Sequence, residues 1–132
     1  MRMLLGMAAD RGLRVCAAHL PPGIMGYYSP DESRIYFDVG LTPSERRTTI
    51  AHELGHHDYG HRGNSSRAER LADSYAADLL IDPYDYAALE LVNPDIAHIA
   101  EELCVTEQLV RHFQENCLQR VGDRVMRVQG AL

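Results

Sequence analysis

Thr42-Pro43-Ser44-Glu45-Arg46-Arg47-Thr48-Thr49-Ile50-Ala51-His52-Glu53-Leu54-Gly55-His56-His57 is the stretch on which the fold turns. It opens as a helix, with Thr42 as N-cap, Pro43 at the first helical position and Glu45 closing a capping box. The helix runs to Tyr59, and Gly55 is its one weak helix former. Ile50 and Leu54, four apart, give a buried stripe. His52 and His56 give the neighbouring stripe, so at about 3.6 residues per turn two imidazoles stack on one face. They can grip one metal ion, and Glu53 beside them can take a proton from an attacking water. H-E-x-x-H also arises by chance on helices whose histidines only pack or face solvent, so the flanking sequence has to decide.

A tetrahedral catalytic zinc usually takes three protein ligands and a water. A second helix is legible from Ser66, with Arg67 to Ile81 helical in composition. Glu69 and Asp73, four apart, share a face, and Ala72 and Ala76 beside them let another helix approach closely. E-x-x-x-D is a pattern in which the Glu ligates zinc and the Asp orients a zinc-binding His from behind. Two alternatives stand beside it. Glu69 also lies three residues after Ser66, where a capping-box Glu would bond the Ser66 backbone. His61 is a rival third ligand, although H-E-x-x-H-x-x-G-x-x-H needs Gly at position 59 and His at position 62. This chain has Tyr59, Gly60, His61 and Arg62, so Gly60 reads as the helix C-cap and His61 as a loop residue facing substrate. His57 points about 100° away from His56 around the helix.

Outside the motif, a coarse pass gives the organisation. Residues 2–10 read as an amphipathic helix with Leu4, Leu5 and Ala8 inward. Gly12 ends it, and Leu13 to Ala17 alternates as a short strand. Pro21-Pro22-Gly23 is a turn. Ile24 to Tyr28 and Arg34 to Val39 read as two strands of a hairpin joined through Ser29 to Ser33. After the two motif helices, Pro83 opens another behind the N-cap Asp82 and runs to about Val92. The order is α+β: a small, mostly antiparallel sheet packed on zincin-like helices. Arg34–Asp38 is the expected sheet edge beside the cleft, where an extended substrate peptide could pair. Residues 1–92 form the expected metallopeptidase core, and 93–132 a helical extension packed on it within a single compact domain.

That extension carries its own signal. Asn93-Pro94 precede a short helix from Asp95 to Cys104. Val105-Thr106 turn the chain, and Thr106 caps a helix to about Gln119. The pair resembles a helix-turn-helix, whose second helix would enter the major groove with Glu107, Gln108, Arg111, His112 and Gln114. Glu101, Glu102, Glu107 and Glu115 would oppose phosphate. Charge therefore favours a helical pair that completes the core or docks a protein substrate over direct DNA binding.

With 132 residues, 45% of them hydrophobic, the chain can bury a core, about two-thirds of its unfolded surface. A formal net charge of −6 argues against non-specific nucleic-acid binding over the whole surface. Cys16, Cys104 and Cys117 lack metal-ligand spacing and are odd in number, which suggests reduced thiols in a cytoplasm. Met1 to Ala9 hints at a signal peptide, but its apolar core is too short and Asp10-Arg11 end it. No segment is long enough to cross a membrane.

Over about residues 24–113 the chain resembles the ImmA/IrrE family of metallopeptidases. The stretches that carry the resemblance are Arg34 to Asp38, Glu45 to His57 and Glu69 to Ile81, in family order. The gap from His56 to Glu69 is shorter than the family pattern, so the connecting loop is trimmed. The resemblance implies one zinc per chain on His52, His56 and Glu69, with Glu53 as general base. It also implies a partner: members commonly sit beside a DNA-binding repressor in phages and mobile elements and cleave it. The expected function is thus a zinc endopeptidase acting on such a repressor. The alternative is a catalytically silent zinc-bound regulator that acts by protein or DNA binding through its C-terminal helical pair. Asp73 is expected behind a zinc ligand, and His57, Tyr59, His61 and Tyr75 are the candidates for oxyanion or substrate contacts.

Overall fold

Helix caps and short β-branched or aromatic runs resolve into six α-helices and three strands over residues 1–118, the part of the chain that a computed structural model describes. The α+β class expected from the sequence holds.

Helix α1 (Arg2–Asp10) buries Leu4 and Ala8. Leu5, expected inward, is 45% exposed, because one residue past Leu4 lies about 100° around the helix. Met7 packs against the core instead. Strands β1 (Arg14–Ala18), β2 (Gly26–Ser29) and β3 (Arg34–Asp38) form one sheet in the order β1-β3-β2. β3 is therefore the central strand, which corrects the expectation that Arg34–Asp38 is an edge. The chain between β1 and β2 crosses to the far side of β3. β3 then pairs in parallel with β1 and antiparallel with β2, and the sheet is mixed. Ile35 of this central strand is fully buried. The strand that borders the cleft is β2.

Helix α2 (Pro43–Asp58) starts as its sequence dictates. The Thr42 hydroxyl accepts from the Glu45 N–H, and the Glu45 carboxylate accepts from the Thr42 N–H. It lies close over β2, where a side chain at Gly26 would collide with Thr49 Cγ2. Helix α3 (Ser66–Leu80) is capped by Ser65, whose hydroxyl accepts from the Ala68 N–H. The cap falls one residue before the sequence estimate, so Glu69 is not the capping-box partner of Ser66 and its carboxylate is left for other bonds. Gly55 sets the α2–α3 distance: a Cβ there would stand 3.0 Å from Tyr75 Cβ and 3.1 Å from Ala72 Cα.

Helix α4 (Pro83–Val92) begins behind Asp82, which caps both the Tyr84 and Asp85 N–H groups. Helix α5 (Ile96–Leu103) uses Asp95 as its cap and ends at Cys104 in the left-handed region. The expected termini Asp95 and Cys104 are thus the flanking caps. Helix α6 (Glu107–His112) is capped by Thr106 and continues as a π-helical turn, Phe113–Cys117. The expected helix end near Gln119, and the rest of 93–132 beyond Leu118, lie outside the described residues. Leu4, Ile35, Ile50, Leu54, Leu80, Tyr86, Ile99, Val110 and Phe113 belong to one hydrophobic cluster, so α5 and α6 share the core of α1, the sheet and α2. Among the described residues no helix is long and apolar enough to cross a membrane.

Candidate metal centre

The centre is built where α2 and α3 meet. His52 and His56, one turn apart on α2, bring their ring centroids to 4.7 Å with planes at 84°. From α3, Glu69 and Asp73 reach the same rings. Asp73 Oδ1 lies 2.7 Å from His52 Nδ1, so a neutral His52 keeps its hydrogen on Nδ1 and presents a lone pair at Nε2. That atom faces Glu69 Oε2 at 2.9 Å and His56 Nε2 at 3.1 Å. His56 Nε2 lies 3.0 Å from Glu69 Oε1.

Electron-pair donors thus converge from three side chains. Imidazole lone pairs and a carboxylate cannot satisfy one another without a shared proton or a cation. The ligand atoms of His52, His56 and Glu69 all lie within 4.8 Å of one another, so the group could hold a metal ion. Two imidazoles and a carboxylate are the donor set of a catalytic zinc site.

The electrostatics follow from burial and these neighbours. Burial opposes a charge on His52, but the bond to Asp73 and the nearby Glu53, Asp73 and Glu69 charges outweigh it and hold the ring at about 8. Burial, then repulsion from His52, lowers His56. Glu53 is 7% exposed. Burial first, and then the Glu69 charge, raise its carboxyl to about 7 against the pull of His52 and a hydrogen bond from the Tyr28 backbone. A carboxyl poised near neutrality is suited to both accepting and returning a proton.

These groups lie in a cleft of about 730 Å³. One wall is β2 and the loop before it, from Gly23 to Tyr28. Another is the loop from His61 to Asn64, and Thr48, Thr106 and Gln108 close it towards α6. Among the side chains considered for oxyanion or substrate contacts, His61 lines this cleft. Tyr75 donates its hydroxyl to Asp58 Oδ2 at 2.6 Å. His57 lies 3.0 Å from Asp58 Oδ1 and edge-on to the Tyr28 ring. Tyr59 is 51% exposed and stacks on His61. Of the helix-turn-helix candidates, Arg111 pairs with Glu107 at 3.7 Å, His112 bonds Ser74, and Gln114 donates to the Tyr86 hydroxyl.

Sequence reasoning missed the Asp58 assembly and the cleft role of Gly26. Arg11 forms a two-bond fork with Asp58, at 2.6 and 2.8 Å, across a separation of 47 residues. No local pattern links them. A lone glycine opening a strand of tyrosines was a legible sign of close backbone approach.

A family model described as the IrrE N-terminal-like domain, of a peptidase family, matches residues 8–114. Among solved structures, a Mycobacterium tuberculosis transcriptional regulator is similar with a TM-score of 0.64 and 24% identity over 84% of this chain. At that identity the likeness is one of fold. The chain spans 39% of the length of that protein. No curated protein matches the chain.

Proposed function

The chain belongs to the IrrE N-terminal-like peptidase family, and from that premise we propose that it is a zinc-dependent endopeptidase that cleaves a DNA-binding repressor of a phage or mobile element in the cytoplasm. The observation that carries the reading is the buried Glu53 carboxyl beside the converging His52, His56 and Glu69 donors, in one open cleft. His52, His56 and Glu69 would hold one zinc. Bound there, zinc would lower the pKa of water and polarise the scissile carbonyl. Asp73 orients His52 by accepting its Nδ1 hydrogen. Glu53 takes the proton of the attacking water as it adds to the carbonyl carbon. It then returns that proton to the amine nitrogen as the C–N bond breaks.

The edge position of β2 supports an extended substrate that adds to the sheet through its backbone, with specificity from alternate side chains. Ile24 and Tyr27, 47% and 53% exposed on that wall, suit an apolar substrate residue. His61, at the opposite wall, is the candidate hydrogen-bond donor to the oxyanion.

Glu53→Gln tests the reading. Gln keeps the shape but cannot accept the proton, so cleavage falls by the upper end of about 10²–10⁴-fold while metal and fold survive. The readout is induction of the promoter controlled by the adjacent repressor, with repressor length followed on a gel. Full induction by Glu53→Gln with the repressor intact would reject the peptidase in favour of a silent regulator.

A further inference from the structure

Helix α2 ends in a left-handed turn. Gly60 has φ +70°. Its N–H bonds the His57 carbonyl at 3.0 Å, and the next N–H, of His61, bonds the His56 carbonyl at 2.9 Å. This pair of bonds is the Schellman arrangement, which folds the residue after the glycine back over the last helical turn. His61 is thereby brought onto His56. Their Nδ1 atoms are 2.9 Å apart, and their ring centroids 5.1 Å. Tyr59 stacks on His61 with planes 9° apart and centroids at 5.3 Å.

A nitrogen–nitrogen contact of that length is a hydrogen bond only if one Nδ1 carries hydrogen and the other a lone pair. The metal-facing atoms decide which. His56 Nε2 is the atom that meets Glu69 and His52. If it ligates, its lone pair is used there, and the hydrogen of the neutral ring resides on Nδ1.

We propose that His61 is the positioning residue of His56: it accepts the Nδ1 hydrogen and holds His56 in the tautomer whose Nε2 faces the metal. The proposal rests on the reading of His56 as a metal ligand. It makes the two ligand histidines parallel cases, His52 backed by a carboxylate from α3 and His56 backed by an imidazole from its own helix end. His61 is then not itself a ligand. Its Nδ1 is engaged behind His56, and it stands outside the group whose donor atoms converge. Its remaining hydrogen stays on Nε2, which gives this cleft-lining ring a donor.

The test uses the full chain labelled with nitrogen-15 at histidine, and zinc ion alone as ligand. Zinc affinity is measured by chelator competition for wild type, His61→Ala and His61→Asn, with a thermal melt of each. Long-range proton–nitrogen spectra of the zinc-loaded wild type should assign the His56 hydrogen to Nδ1. His61→Ala should weaken zinc binding by about 10–100-fold. His61→Asn, whose side-chain oxygen can accept in the same place, should recover most of the loss. Equal affinity in all three chains, Asn no better than Ala, or a zinc-loaded His56 with hydrogen on Nε2 would overturn the proposal. If His61→Ala does not fold, the Asn variant and the wild-type spectrum decide. A wild type that binds no zinc removes the metal-site reading as well, whereas tight wild-type binding with unaffected variants removes the role of His61 alone.

Discussion

Helices α2 and α3 are bonded to each other on two sides, out of similar groups and with opposite outcomes. On one side Asp58 receives the Arg11 guanidinium, the Tyr75 hydroxyl and a contact from His57. The negative charge meets a cation that the chain itself supplies, and the network closes. On the other side of Gly55, His52, His56 and Glu69 meet nitrogen to nitrogen and nitrogen to oxygen, with only exchangeable protons to bridge them. Among the described residues no arginine pairs with Glu69 or Asp73 there. The difference separates a structural clamp from a site. A protein that supplies a permanent counter-charge gains stability, and one whose convergent donors share only an exchangeable proton keeps affinity for an added cation. Gly55 lies between the two sides and sets the spacing of both.

The largest expected effect breaks the open side. Glu69→Ala should lower zinc affinity by more than the roughly 100-fold that loss of an outer partner costs. Elemental analysis and chelator competition read it, and retention of zinc by this variant would move the third ligand elsewhere. Asp73→Ala should cost about 10–100-fold in zinc affinity while the fold survives, since the orientation of His52 is lost. An unchanged affinity would make Asp73 an ordinary surface group.

Gly55→Ala should disturb both sides together. The added methyl meets the Ala72 backbone and the Tyr75 side chain at about 3 Å, and such overpacking typically costs about 1–3 kcal/mol. Urea unfolding and zinc competition should therefore move together, and a loss of only one would uncouple the two sides. Asp58→Asn should act on the closed side alone, by about 1–3 kcal/mol of stability with little change in zinc affinity.

The smallest effect is a pH dependence on that side. Hydrogen bonding from Arg11, and then from Tyr75 and His57, holds the Asp58 carboxyl well below the usual carboxylate range against the opposing effect of burial. Its unfolded counterpart protonates near pH 4. The stabilisation is thus complete above about pH 5 and fades as pH falls below it. In the metal-free protein the stability gap between wild type and Asp58→Asn should narrow between about pH 5 and pH 2. A gap that stays constant there would mean that Asp58 acts by packing rather than by charge.

The converging groups of α2 and α3 were legible because each rests on a local period. His52 and His56 stack by helical repeat, as do Glu69 and Asp73, and the Thr42–Glu45 capping box declares the start of α2. The competing role of Glu69 as a cap dissolved only when Ser65 proved to hold the cap. The Asp58 clamp was illegible because Arg11 and Asp58 are 47 residues apart and nothing in either neighbourhood needs the other. The edge strand was misassigned because alternation marks a strand without saying how many neighbours it has.

What the sequence by itself determined is therefore the set of local decisions: where helices begin, which faces they offer, and which side chains share a face. Those depend on bonds and spacings within one or two helical turns. Only the tertiary structure decided that β2 rather than β3 borders the cleft, that Tyr75 donates to Asp58 and stands outside the cleft lining, and that the donors of α3 meet those of α2. Those outcomes depend on which surfaces are buried together. At Gly55 and Gly26 a single missing side chain lets backbones approach closely enough to set those distances.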